Sequence, residues 1–128
     1  MQKKTVNKLD RIFSKFIRLR DSDDNGYGKC ISCGKIVHWQ DADCGHYINR
    51  KHLSTRWCEK NCNLQCRSCN RFQEGNAAGY TLGLIKKYGG TIIEELIAKK
   101  MGIYKLTDFE GEILYKEYLK KVKECNKK

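Results

Sequence analysis

The sequence contains no proline, no internal repeat and no apolar run longer than a few residues. Without proline-rich or low-complexity stretches there is no linker to divide the chain, so one domain over residues 1–128 is expected. Without a long apolar run, a membrane-spanning helix is not expected. The first residues, MQKKTVNKLDR, lack an apolar core and a small-residue cleavage site, so they do not read as a secretory signal, and a cytoplasmic protein follows. Acidic residues are also scarce. Fifteen Asp and Glu stand against 26 Lys and Arg, a net charge of +11. Seven of the basic residues fall within the first 20 positions, where Asp10 is the one acid. Such an excess attracts polyanions, nucleic acid among them, although a solvated lysine-rich surface has the same composition.

Cysteine, by contrast, is plentiful, with eight in 128 residues. A reducing compartment argues against a disulfide framework. The spacing argues for metal: Cys30-x2-Cys33 and Cys66-x2-Cys69 each put two sulfurs on one tight turn, and two such turns complete a tetrahedral S4 set of the kind zinc takes. A structural zinc site would supply folding free energy that a small core lacks. Cys44, Cys58, Cys62 and Cys125 have no assigned role. Cys44 reads as a packed thiol, and Cys58 or Cys62 could compete as a zinc ligand.

Hydrophobic periodicity organises the rest. Val6, Leu9, Ile12, Phe13, Phe16 and Ile17 form a helical stripe over about 5–20. Residues 21–28, DSDDNGYG, end it with turn chemistry. Residues 27–39 read as a hairpin around the first cysteine pair, 43–49 as a second short strand, 50–57 as a basic loop, and CRSCNRFQ as the first turns of a helix closed by Gly75. Three further helices follow: one through Tyr80, Leu84 and Tyr88, stopped at Gly89-Gly90; one through Ile92 to Ile97, with Thr91 and Glu94 placed to cap it; and one opened by Thr107 or Asp108. The parts are a basic N-terminal helix (1–26), a zinc-bound core (27–75) and C-terminal helices (76–128).

Between the cysteine pairs lies Asp43-Cys44-Gly45-His46, then Asn61, and Asn70 directly follows the second pair. This order resembles the HNH nuclease motif on a treble-clef zinc scaffold. The resemblance implies an α+β fold with a small zinc-bound treble-clef ββα-metal core between N- and C-terminal helices. It implies His46 as general base, Asn61 holding a loop and Asn70 on a catalytic divalent ion. The chemistry is coherent: an imidazole titrating near 6.5 accepts water's proton at neutral pH, and Mg²⁺ or Mn²⁺ neutralises charge on the phosphate. Arg50, Lys51 and Arg56 stand near the base as phosphate contacts, with Arg18 and Arg20 extending the footprint. His38 reads as structural. His52 reads as a surface residue that could touch DNA or the metal.

The pieces IRLRD, CGHYINR and QCRSCN, within a match from Phe13 to about Gly89, resemble the NinG (Rap) family of phage recombination proteins. That resemblance implies a phage- or prophage-encoded endonuclease in the bacterial cytoplasm, selective for Holliday junctions and D-loops. A homodimer would suit the symmetry of a junction. One departure from the HNH pattern is plain: the position before the base, often an Asp or His metal ligand, is Gly45. Asp43 is the substitute in sequence, although alternation along a strand sets it on the face opposite His46. Rival readings are an HNH enzyme cutting linear duplex, a non-catalytic zinc module that binds DNA, and a cysteine-based redox protein. No thioredoxin-like pattern supports the last.

Overall fold

A computed structural model describes residues 1–125; the last three residues of the basic tail lie outside the described residues. The apolar stripe forms helix α1, Lys3–Arg20, which buries Leu9, Phe13, Phe16 and Ile17. Two two-stranded antiparallel sheets follow. In the first, β1 (Tyr27–Lys29) pairs with β2 (Ile36–His38) around the first cysteine turn. In the second, β3 (Ala42–His46) pairs with β4 (Cys62–Cys66). The 15 residues joining β3 to β4 carry the short helix α2 (Leu53–Arg56), where a loop was expected.

Strand β4 was not foreseen, and the helix expected after Cys66 is a single π turn, Ser68–Phe72. The chain leaves that turn through positive φ at Glu74, Gly75 and Asn76, which breaks the helix one turn after it starts. Helices α3 (Ala77–Tyr88), α4 (Ile92–Lys100) and α5 (Asp108–Glu124) complete the chain. Thr107 opens α5 with a full capping box to Glu110. Thr91 makes no such cap: its own backbone is already helical, and its hydroxyl donates to Glu95 instead of exchanging bonds with Glu94.

Strand β4 is buried on both faces and so ties the layers together. Cys62 and Leu64 point into the main core beside α1, with Trp39, Trp57, Tyr118 and Val122. Asn63 and Gln65 point the other way and are equally buried, each satisfied. Asn63 donates to the Tyr80 hydroxyl, and Gln65 donates to Ser32 and to the Gly75 carbonyl. A second core of Ile48, Tyr80, Leu84, Ile92 and Leu96 holds α3 and α4 under the β3–β4 connection. No helix among the described residues is long and apolar enough to cross a membrane.

Candidate functional site

The four cysteines of the two turns converge. Cys30, Cys33, Cys66 and Cys69 place their sulfurs within 4.8 Å of one another, with Cys33 and Cys66 3.8 Å apart. Sulfurs bound at about 2.3 Å around a tetrahedral ion sit about 3.8 Å apart, so the set could hold a metal such as zinc. Three of the four are buried, and Cys33 is exposed. Backbone bonds shape the first turn: Cys30 N donates to Lys35 O, and Gly34 N donates to Cys30 O. The second turn is held where Asn76 donates to the Cys69 sulfur. Neither Cys58 nor Cys62 joins this set.

Toward the other end of the β3–β4 hairpin lies a cavity of about 380 Å³. It is lined by Asp10, Phe13 and Ser14 of α1, Cys44 and His46 of β3, Asn49 and Arg50 beyond it, and Asn70 of the π turn. His46 and Asn70, 24 positions apart in sequence, therefore share one space. His46 Nε2 lies 2.9 Å from the Arg56 carbonyl oxygen. A carbonyl only accepts, so Nε2 carries the proton and the lone pair of the neutral ring sits on Nδ1. Burial lowers the imidazole pKa from its ordinary value, against the opposing pull of the Arg56 carbonyl and Asp10. The ring is neutral at neutral pH.

Asn61 does not line this cavity; it fixes the connection beside it. Fully buried, it accepts from Ile48 N and donates to the carbonyls of Ile48 and Thr55, at 2.8, 3.1 and 3.0 Å. Gly45 is explained by space, because a Cβ there would run into the Gln65 side chain. No ligand-bearing residue fits directly before His46.

Asp43 lies on the strand face opposite His46, and its carboxylate is taken. Arg71 grips both oxygens at 2.9 Å, and Asn70 Nδ2 donates to one of them at 2.9 Å. Burial acts to raise the Asp43 pKa, but the bonds from Arg71 and Asn70 outweigh it and hold the carboxyl below its usual range. The sequence-based choice of Asp43 as a ligand to an ion beside His46 is corrected: the strand aims its carboxylate to the other face, where Arg71 and Asn70 hold it. The carboxylate that does face His46 is Asp10, which sequence reading missed. Its partners are Arg56, through two nitrogens, and Trp57 Nε1 at 2.9 Å.

Two arginines read as phosphate contacts turn inward. Arg56 is the clamp on Asp10. Arg20 bonds Asp21, the carbonyls of Glu59 and Cys62, and the Asn63 side chain. Arg50 and Lys51 are exposed, and Arg50 lines the cavity. Arg18 donates to Trp39 O and borders an adjoining cleft of about 440 Å³ beside Arg67, Asn70 and Arg71. Arg67 and Arg71 were not singled out from sequence, although both flank the second cysteine pair. His38 is structural, accepting from Gln40 N. The side chain of His52, just before α2, makes no capping bond. A larger groove of about 860 Å³ between the β1–β2 hairpin and α3 contains none of His46, Asn61 or Asn70.

Fold and site thus define a basic, cysteine-rich α+β domain with a metal-competent thiol set and a separate polar cavity around a histidine. The family described as Bacteriophage Lambda NinG protein matches residues 1–128, and the chain belongs to the NinG family. It is 31% identical over 120 residues to Protein ninG of Escherichia phage lambda and 30% identical over 120 residues to that of Salmonella phage P22. Each of these matches covers 93% of this chain and 56% of the relative. Protein ninG of Escherichia phage 933W is 33% identical over 92 residues, covering 71% of this chain and 43% of the relative. The chain spans about half the length of the curated relatives it matches. No solved structure matches it.

Proposed function

We propose that this NinG-family chain is a metal-dependent endonuclease of the HNH type, acting on branched DNA such as Holliday junctions and D-loops in the bacterial cytoplasm. The observation that carries the reading is the meeting of His46 and Asn70 in one polar cavity, with Asn61 buried behind it as the fastener of the connecting loop. The β3–β4 hairpin followed at once by the π turn supports a ββα-metal reading in its order of elements. The four-thiol set, holding zinc, would tie the junction of β4 and the π turn to the first cysteine turn.

In this reading the Arg56 carbonyl orients His46, and Nδ1 takes the proton from an attacking water. A hard ion, Mg²⁺ or Mn²⁺, would when bound supply charge neutralisation at the phosphate. The oxygens available to hold it are those of Asp10 and Asn70. A carboxylate has about four lone-pair sites, so Asp10 keeps one after bonding Arg56 and Trp57. Asn70 spends its amide nitrogen on Asp43 and keeps its carbonyl oxygen. Arg50 and Lys51 on one side, and Arg18, Arg67 and Arg71 on the other, form a basic rim for the flanking phosphates. Paired incision of a two-fold symmetric junction suits a homodimer.

The test is incubation of synthetic four-way junctions and linear duplexes with protein and Mg²⁺. Cutting of the junction in preference to the duplex is the expected result. Equal cutting of linear duplex would move the reading to an ordinary HNH nuclease. Binding with no cutting would make the chain a zinc-dependent DNA-binding accessory.

A further inference from the structure

The register of the β3–β4 hairpin puts His46 opposite Cys62 and Cys44 opposite Leu64, all on the face toward α1. A sulfur from Cys44, a ring nitrogen of His46 and a sulfur from Cys62 lie within 4.8 Å of one another. This trio is distinct from the four-thiol set and shares no residue with it. Cys44 and His46 also line the 380 Å³ cavity, so one side of the trio opens onto solvent-accessible space while Cys62 closes its back.

We propose that Cys44, His46 and Cys62 form a second metal site for a thiophilic divalent ion such as zinc, and that filling it withdraws His46 from chemistry. Two thiolates and one imidazole with a fourth position open to a cavity is a donor set zinc accepts. The same set is poor for Mg²⁺, which prefers oxygen. Binding releases two thiol protons to solvent and leaves a neutral complex, which suits a half-buried position. A neutral imidazole has one lone pair. Whichever nitrogen the ion takes, none is left for water, so zinc at this site and hydrolysis by His46 exclude each other. The site itself is independent of the nuclease reading; its inhibitory consequence rests on that reading.

The experiment is zinc reconstitution of the full metal-free chain, counting bound ions by competition with a chromophoric chelator. Two zinc ions per wild-type chain and one per Cys44→Ser chain of unchanged circular dichroism is the expected result. One ion in both overturns the site. Cobalt titration of the wild type needs no variant: thiolate-to-cobalt absorption that still grows between the first and second equivalents supports the site, and saturation at one equivalent overturns it. Junction cutting in Mg²⁺ is then measured at one and two equivalents of zinc. The second equivalent should lower cutting about a hundredfold in the wild type, in line with loss of a general base. In Cys44→Ser it should change cutting less than about twofold, far below the loss expected for a general base. Equal inhibition of both proteins, or cutting that appears with zinc alone, overturns the inhibitory role. If junctions are never cut, the nuclease reading fails while the ion count still decides the site.

Discussion

The two cysteine clusters sit at either end of one hairpin and differ in what surrounds them. Cys30, Cys33, Cys66 and Cys69 are four soft donors on two tight turns, three of them buried and Cys33 exposed, enough by themselves to complete a tetrahedral set. Around Cys44, His46 and Cys62 the donors are mixed, one side is open, and a carboxylate, an amide and an arginine look into the same space. The first arrangement suits holding a fold together; the second suits exchange of protons and ligands. A hairpin can serve both because antiparallel pairing fixes its two ends rigidly relative to each other, with Cys66 at one end of β4 and Cys62 at the other.

That contrast breaks most visibly at the four-thiol end. Structural zinc in small modules contributes about 10–16 kcal/mol. Cys69→Ala, or chelation of the wild type, should therefore abolish the ordered packing of residues 27–75. Loss of dispersed amide signals in NMR would register it, and a chain that stays fully folded without metal would remove the structural half of the contrast. At the cavity end the sign reverses: His46→Gln should lower junction cutting by about 10²–10⁴-fold, the range for a general base, with thermal stability little changed.

Between the two ends lies Asn61. Asn61→Ala leaves the Ile48 amide and the Ile48 and Thr55 carbonyls without buried partners, which should cost about 3 kcal/mol in urea unfolding. Cutting should fall with it because the loop carrying Arg56, and hence the orientation of His46, loosens.

Asp21 sharpens the scaffold side through pH. Burial acts to raise its pKa, but bonds from Arg20, Lys87 and Leu64 N bring it below the ordinary carboxylate value. A carboxyl depressed in the folded state stabilises above its unfolded pKa, and that contribution disappears as pH falls through the folded one. Melting temperature should thus drop in the acid range, and Asp21→Asn should flatten the drop while lowering stability at neutral pH. The smallest effect is expected at Arg71, whose side chain is half exposed. Arg71→Ala should leave the melting temperature almost unchanged, while binding of DNA, if the rim contacts phosphates as proposed, should weaken.

What sequence reading reached, and what it did not, follows the range of the interactions. The α1 stripe, the cysteine turns and the Thr107 cap are local patterns, and each forms as read. Strand β4 was also local: Cys62, Leu64 and Cys66 alternate with polar residues as a strand should. Its Asn63 and Gln65 look solvent-facing in sequence yet are buried against Tyr80 and Ser32, a fact only the tertiary packing supplies. Asp10 was out of reach because its partners stand 46 and 47 positions away. Arg20 was misjudged through charge counting, although its direct neighbour Asp21 offered a signal. Asn61 was singled out by the motif order, and its bonds to Ile48 and Thr55 span no more than 13 positions. Asp43 was misplaced because the same motif had no residue to offer at Gly45.

Single-turnover cutting of a four-way junction by wild type and His46→Gln, with binding followed on the same samples, bears most directly on the cavity. The expected result is a wild-type chain that incises the junction in Mg²⁺ and a variant that binds it equally well but leaves it whole. Undiminished incision by the variant would contradict a proton-accepting role for that imidazole.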